Sequence, residues 1–284
     1  QNTLFCLDYL SGLYIYDIEN VENPQLISHL DVGKQSIEFI VGDNNIWIAN
    51  DNEGITRINI NDIQNPIIVA ESDLYSEHLT FYEDYLYVIS GNSLDIVILS
   101  SSDLNQVGNV EIQNPWMIVF VQPLLFHQQY GYLIEVNAGI QNQRPAWTIL
   151  TVLDMTDPLN PLRLGTWETS YGVENFTNLN DTLIVASNEH LFFIDATDPE
   201  NLAEIFTEMH HPPLNLSLSK ISYQAPWLFT SHEYMGSFSI SEIQDWTDIY
   251  SGLILDLDHK PYSIVISDSI AIAGNGEGEG IYLI

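Results

Sequence analysis

The chain has 284 residues, of which 45% are apolar, and its 39 acidic and 6 basic side chains give a net charge of −33. This length and apolar content are enough to bury a large core. The charge repels nucleic-acid phosphates and anionic lipid, so neither is expected as a partner, and no apolar run is long enough to predict membrane insertion.

A seven-residue turn recurs along the chain. Each copy closes on Asn or Asp, and successive copies lie about 40 to 45 residues apart, except for one longer interval. The windows are Asp17–Asn23, Asn59–Asn65, Leu99–Asn105, Asp154–Asn160, Asp195–Asn201 and Ser239–Asp245. A period of this size is typical of repeat architectures, in which one supersecondary unit returns many times.

Asp and Asn suit this turn because their short side chains accept hydrogen bonds from backbone N–H groups one or two residues on. We therefore assign a structural turn role to these residues rather than a calcium-binding role. They are Asp17, Asn23, Asn59, Asn65, Asp154, Asn160, Asp195 and Asn201.

Short runs rich in β-branched and aromatic residues flank each turn and predict strands. Two further runs fit between successive turns, so each repeat carries four strands, here named a, b, c and d, and the turn joins c to d. No helical pattern of apolar residues extends over ten positions. The predicted repeats are 1–31, 32–74, 75–112, 113–168, 169–208, 209–258 and 259–284.

Four short antiparallel strands per repeat form the blade of a β-propeller. The sequence therefore predicts an all-β fold, with a single seven-bladed propeller domain over residues 1–284. The first blade lacks strand a and the last lacks strand d. A six-bladed ring is the second choice, because it would leave duplicate b and c strands unplaced.

Three segments resemble a known family. GLYIYDIENVENPQLI, TILTVLDMTDPLNPLRLG and LFFIDATDPENLAEI are similar to the LVIVD repeat, found in β-propellers of secreted and surface proteins of bacteria and archaea. The resemblance covers nearly the whole chain, and it weakens around Leu99 and Ser239, where the Asp of the motif is replaced. It implies a secreted or cell-surface location and carries no shared catalytic residue.

In a propeller, the residues just before each strand a are expected to converge on one mouth of the central channel. Aromatic surfaces with a few polar groups are typical of ligand sites, although loops also accept polar residues without any function. An insertion at 137–146 is expected on the same face. The candidate ligand-binding residues are Lys34, His78, Trp116, Arg144, Tyr171, Glu174, His210, His211, His259 and Tyr262.

We predict no cofactor and no transition-metal site. His210 and His211 are adjacent, so on an extended chain their side chains point to opposite sides and chelate poorly. Glu277 and Glu279 lie in a Gly-rich segment and are the candidates considered for Ca²⁺, but a flexible turn explains this composition better.

The sequence lacks the nucleophile elbow, zinc-protease, phosphate-loop and dinucleotide motifs. The predicted function is a non-enzymatic interaction or structural module at the cell surface, which binds a protein or glycan at the channel mouth. The alternative is a subunit that self-associates into a filament or layer by strand addition at its incomplete terminal blades. A third hypothesis is a hydrolase or lyase that acts at the channel mouth.

Overall fold

The structure is a computed structural model of the chain. It describes residues 2–89, 95–111, 119–121, 124–137, 147–187, 190–209, 218–232, 237–245, 248–256, 261–267, 270–275 and 281–283. Every helix or strand assigned within these ranges is a β-strand, and the strands form antiparallel sheets. The predicted all-β fold is therefore confirmed.

The chain divides into two compact units, and unit 1 comprises Gln1–Gln129 and Asp154–Leu162. Three sheets form within it, with strand orders β1-β2-β3, β4-β5-β6-β7 and β8-β9-β10-β11. Its strands are β1 (Thr3–Asp8), β2 (Gly12–Asp17), β3 (Gln25–Leu30), β4 (Glu38–Gly42), β5 (Asn45–Ala49), β6 (Ile55–Asn59), β7 (Ile67–Ser72), β8 (His78–Tyr82), β9 (Tyr85–Ile89), β10 (Asp95–Ser100), β11 (Gln106–Glu111), β12 (Val119–Val121) and β13 (Leu125–His127).

Unit 2 comprises Tyr130–Leu153 and Arg163–Ile284. Its strands pair in the orders β14-β15-β16, β17-β18-β19-β20, β21-β22-β23-β24 and β25-β26-β27. They are β14 (Tyr130–Asn137), β15 (Trp147–Asp154), β16 (Leu162–Thr169), β17 (Val173–Leu179), β18 (Thr182–Ser187), β19 (His190–Asp195), β20 (Ala203–Met209), β21 (Leu218–Gln224), β22 (Trp227–His232), β23 (Ser237–Asp245), β24 (Asp248–Asp256), β25 (Pro261–Ser267), β26 (Ile270–Asn275) and β27 (Ile281–Leu283).

Most of these sheets repeat one plan, in which each strand pairs with the next strand along the chain. Such pairing needs only short connections, which the turn-forming residues supply. In the four-stranded sheets the strands correspond in order to a, b, c and d. Among the described residues, the sheet β1-β2-β3 has no strand a and the sheet β25-β26-β27 has no strand d.

Strands b and c supply most of the buried apolar side chains, because they occupy the centre of each sheet. One cluster in unit 1 joins Leu13 and Ile15 of the first sheet to Ile46, Ile48 and Ile58 of the second. Another cluster joins the second sheet to the third through Trp47, Leu79 and Leu86. Sheets therefore pack on their neighbours along the chain, as repeat proteins require.

The recurring turn is held by two short side chains. In the copy at 195–201, Asp195 Oδ1 accepts the Thr197 N–H at 2.9 Å and the Thr197 hydroxyl at 2.7 Å. Asp198 Oδ1 then accepts the Glu200 N–H at 3.1 Å, while its Oδ2 accepts the Asn201 side-chain amide at 3.0 Å. The copies at 59–65 and 154–160 repeat this arrangement.

Two predicted turn windows are wrong. Ser100, not Leu99, pairs with the first residue of its neighbouring strand, so the third turn begins at Ser100 and Leu99 is buried in β10. Residues Ser239–Asp245 lie within β23 and form no turn. Both copies lack Asp or Asn at the first position, so no carboxylate or amide is present there to accept the N–H two residues on. Strand β13 was not predicted.

Each of three later turns also contacts the preceding repeat through the carbonyl at its fifth position. The Ser28 hydroxyl donates to the Ile63 carbonyl at 2.6 Å, and the Tyr87 hydroxyl donates to the Pro158 carbonyl at 2.6 Å. At Gly165, a Cβ would lie 2.5 Å from the Pro199 carbonyl oxygen, so only glycine permits this approach. The turn therefore joins consecutive repeats as well as strands c and d.

The third turn is contacted in a different way, from the side chains of β5 and β6. Trp47 Nε1 donates to the Ser101 carbonyl at 3.0 Å, and the Arg57 guanidinium donates to the Ser102 carbonyl. The guanidinium carbon also lies 6.0 Å from the centre of the Trp47 ring. Because this turn begins at Ser100 and is one residue shorter, its second and third positions take the place of the fifth.

Candidate functional site

The sequence places its candidate residues where strands d lead into strands a, and the structure describes part of this set. Lys34 and Tyr171 lie in such connections, and His78 is the first residue of β8. Glu174 lies in β17 and Tyr262 in β25. The candidates outside the described residues are Trp116, Arg144, His210, His211, His259, Glu277 and Glu279.

In unit 1, the starts of β4 and β8 meet at a carboxylate and an imidazole. Glu38 Oε2 lies 3.1 Å from His78 Nδ1 and accepts the Leu79 N–H, also at 3.1 Å. Both side chains are half-buried, at 28% and 29% exposure. Glu38 thus fixes the orientation of the imidazole and leaves Nε2 on the far side of the ring, as carboxylates do for functional histidines.

Two further charged contacts lie in the connections that lead into these strands. Lys34 Nζ forms an ion pair of 2.7 Å with Glu71 Oε1. The Tyr75 hydroxyl donates to Glu77 Oε1 at 2.6 Å, and this hydrogen bond, together with burial and nearby charge, raises the pKa of Tyr75 well above its ordinary value. Tyr75 therefore stays a neutral donor at physiological pH.

Buried polar side chains hold the connection before β4 against the second sheet. The Ser36 hydroxyl donates to Asn50 Oδ1 at 3.0 Å, and the Asn50 amide donates to the Thr56 hydroxyl at 3.0 Å. All three side chains are buried, so each hydrogen bond satisfies a group that would be costly to leave unpaired. Lys34 is thus carried by a connection that is anchored two residues away.

In unit 2, the Tyr171 ring packs at a tilt against two buried rings. Its ring centre is 4.2 Å from that of His190 and 5.8 Å from that of Phe192, and Phe192 in turn packs edge-on against Trp167. The Thr148 hydroxyl donates to the Tyr171 carbonyl at 2.8 Å and accepts the Val173 N–H at 3.3 Å. These contacts fix the connection while Tyr171 stays 38% exposed.

His190 occupies a position at which the repeats differ, since the fourth repeat has Ile149 there. The equivalent position, five residues before the turn, is Gly12 in the first repeat and Gly54 in the second, both with positive φ. His190 is only 6% exposed, and its buried Nδ1 has no hydrogen-bond partner among the described residues.

Sequence reasoning missed two residues of these sites, Glu38 and His190. No sequence pattern indicates Glu38, because its role depends on the packing of β4 beside β8. His190 did carry a signal, since it replaces a recurring glycine at the start of strand c. Comparing equivalent repeat positions would have found it.

Neither site has the donor set of a metal centre. Among the residues that the structure describes, no three or more His, Cys, Asp or Glu side chains are grouped so that they could hold an ion. The described part of the chain likewise contains no helix that is long and apolar enough to span a membrane.

No family model matches the sequence, and no curated protein matches it. Solved β-propellers do resemble it. A periplasmic gluconolactonase from Pseudomonas aeruginosa is 10% identical with a TM-score of 0.76, covering 99% of this chain and 90% of the other. A putative 6-phosphogluconolactonase from Bacteroides fragilis is also 10% identical with a TM-score of 0.76, covering 100% and 90%.

BamB from Moraxella catarrhalis is a further similar structure. It is 11% identical with a TM-score of 0.64, and the alignment covers 99% of this chain and 78% of BamB. Identities this low show a shared fold and nothing about activity. Together with the antiparallel sheets, they identify the fold as a β-propeller.

Proposed function

We propose that this chain is a non-enzymatic interaction module of the cell surface, built as a seven-bladed propeller of LVIVD-type repeats. Its binding residues lie in the connections that lead from strands d into strands a. The observation that carries the proposal is the Glu38–His78 pair, because it presents an oriented, half-exposed imidazole at the start of β8.

The anchoring of the connections supports this function. Binding residues are commonly carried on loops that a rigid scaffold positions, and the buried Ser36–Asn50–Thr56 network provides such support beside Lys34. Preformed loops lose little conformational entropy on binding, which favours affinity. A secreted or surface location follows from the LVIVD resemblance, and the acidic surface suits an exposed, soluble module.

Binding to isolated cell envelopes of the source organism tests the proposal. The double variant Lys34→Ala/His78→Ala should sediment with envelopes at least tenfold less than the parent protein. Glu22→Ala/Gln25→Ala is the matched control, because both residues are exposed, Glu22 in the first c-to-d turn and Gln25 at the start of β3, and it should sediment like the parent. Equal loss in both variants, or no sedimentation of the parent, would refute the proposal.

Lactone hydrolysis is the second candidate, and two observations favour it. Two of the similar structures are a gluconolactonase and a putative 6-phosphogluconolactonase. In addition, His78 Nε2 could take a proton from water as it adds to a lactone carbonyl, and return it to the ring oxygen as that C–O bond breaks. Hydrolysis of glucono-1,5-lactone above the buffer rate, abolished by His78→Ala, would favour the enzyme over the interaction module.

A further inference from the structure

We propose that Tyr171, supported by His190, is a stacking platform for the ring of a neutral sugar. This inference rests on the proposed interaction function and names the class of ligand that unit 2 takes. Tyr171 contacts the ligand, whereas His190 positions the Tyr171 ring.

Tyr171 is 38% exposed, so part of its side chain is available to a ligand. The Tyr171 ring packs against His190 at a 44° tilt, with 4.2 Å between the ring centres, and Phe192 lies beside both rings. The backbone of Tyr171 is held by Thr148, and its N–H also donates to the Thr169 hydroxyl at 3.4 Å. A ring that is fixed before binding loses little entropy when a ligand stacks on it.

The surroundings of Tyr171 favour a sugar over an apolar peptide. Its neighbours along the chain, Glu168, Thr169 and Ser170, are polar and at least partly exposed, so polar groups lie next to the ring along the chain. A sugar presents an apolar C–H face that matches this ring and hydroxyl groups that match the polar rim. Binding sites commonly combine an aromatic surface with a few polar groups in this way.

Charge further restricts the ligand. With a net charge of −33, the protein repels phosphorylated and carboxylated ligands over distances of about 10 Å at ordinary ionic strength. A neutral sugar is not affected by this repulsion. One stacked ring is a small contact, so we expect a dissociation constant on the order of 1 mM.

The buried position of His190 against Tyr171 distinguishes this site from ordinary loop packing. It stands where the first two repeats have glycine, packs its imidazole against the Tyr171 ring at a 44° tilt, and buries an Nδ1 without a partner among the described residues. Packing alone does not account for a polar ring here. A fixed support for the Tyr171 ring does, and we assign His190 that positioning role.

Saturation-transfer NMR with the methyl glycosides of glucose, galactose, mannose and N-acetylglucosamine tests the proposal. At least one glycoside should bind to the full chain, and Tyr171→Ala should weaken that binding at least tenfold. Tyr171→Phe should stay within about threefold, because the ring face is retained. Tyr9→Ala removes an exposed tyrosine from unit 1 and should bind like the parent.

The role of His190 needs a readout beyond stability. His190→Phe should retain the pattern of sugar protons that receive saturation, since a ring still supports Tyr171, whereas His190→Gly should change that pattern as well as weaken binding. Circular dichroism checks that each variant is folded. If none of the glycosides binds, or if folded Tyr171→Ala binds as tightly as the parent, the sugar platform is refuted.

The two proposals fail in different ways. Envelope binding that depends on Lys34 and His78, with no glycoside binding, would leave the interaction module standing and remove the sugar platform. Tyr171-dependent binding of an aromatic peptide, with no glycoside bound, would replace the sugar by a protein partner.

Discussion

Among single residues, Glu135 has a buried carboxylate whose charge is compensated by the guanidinium of Arg163. Glu135 in β14 is almost fully buried, and Arg163 in β16 reaches it with a 3.1 Å bond from Nη2 to Oε1. The Thr151 hydroxyl between them donates to Glu135 Oε2 at 3.3 Å. The three groups cross strands b, c and d of one sheet and are satisfied together.

Replacing only Arg163 should therefore destabilise the fold. Arg163→Leu leaves the Glu135 charge buried without its partner, and we expect it to lower the free energy of unfolding by about 3–5 kcal/mol. Glu135→Leu/Arg163→Leu removes both charges and should lose less. Urea denaturation of both variants measures the difference. A double variant no more stable than the single one would contradict this account.

Tyr87 is a second residue whose contribution to stability can be measured, because its hydroxyl makes one hydrogen bond. Tyr87 is buried, its hydroxyl donates to the Pro158 carbonyl, and burial raises its pKa well above the ordinary value, so it remains a donor. Tyr87→Phe should lower the free energy of unfolding by about 0.5–1.5 kcal/mol. Tyr9→Phe alters an exposed tyrosine and should have no measurable effect; equal effects in urea denaturation would refute the repeat contact.

Among the structural elements, the hydrogen bonds within the c-to-d turn explain why the sequence of this turn recurs. Its carboxylates accept hydrogen bonds within the turn, and these bonds lower the pKa values of several of them below the ordinary carboxyl value. The side chains are Asp62, Asp103, Asp154 and Asp195. Such groups stabilise the fold above their unfolded pKa of about 3.9, and this stabilisation is lost as pH falls through the lowered values.

The pH dependence gives a test of the turn. A variant with Asn at all four positions keeps a side-chain oxygen acceptor but cannot titrate. Between pH 5 and 2, its melting temperature should fall less than that of the parent. The matched control replaces four exposed acids outside these bonds, Glu19, Glu22, Glu83 and Glu200, by Gln. Calorimetric scans in which the Asn variant and the control fall alike would contradict the assigned role.

The elements also show which parts of the fold the sequence can predict. The Asp and Asn turns were predictable because a short acceptor acts on its own neighbours, a local effect. A turn at Ser239–Asp245 was wrongly predicted because spacing suggested it where the necessary side chains are missing, and the strand continues instead. The Glu38–His78 pair depends on residues forty positions apart, so no local pattern contains it.

At the scale of the whole molecule, charge is the dominant property. The net charge of −33 is spread over a folded chain, and like charges oppose the compact state. Salt shortens the screening distance from about 30 Å at 0.01 M to about 3 Å at 1 M. The melting temperature should therefore rise over this range of sodium chloride.

A divalent-ion series separates screening from specific binding. At matched ionic strength, calcium and magnesium chloride should raise the melting temperature equally, because screening depends on ionic strength and not on the identity of the cation. A melting temperature that is independent of sodium chloride would contradict the repulsion argument. A rise specific to calcium would instead indicate a site.

Hydrogen exchange on the envelope-bound protein tests whether the connections leading into strands a are the binding surface. We predict that envelopes slow exchange in segments 31–37, 73–77 and 170–172 and leave the turns at 17–23, 59–65 and 195–201 unchanged. Slowed exchange confined to those turns, with the three connections unaffected, would contradict the claim.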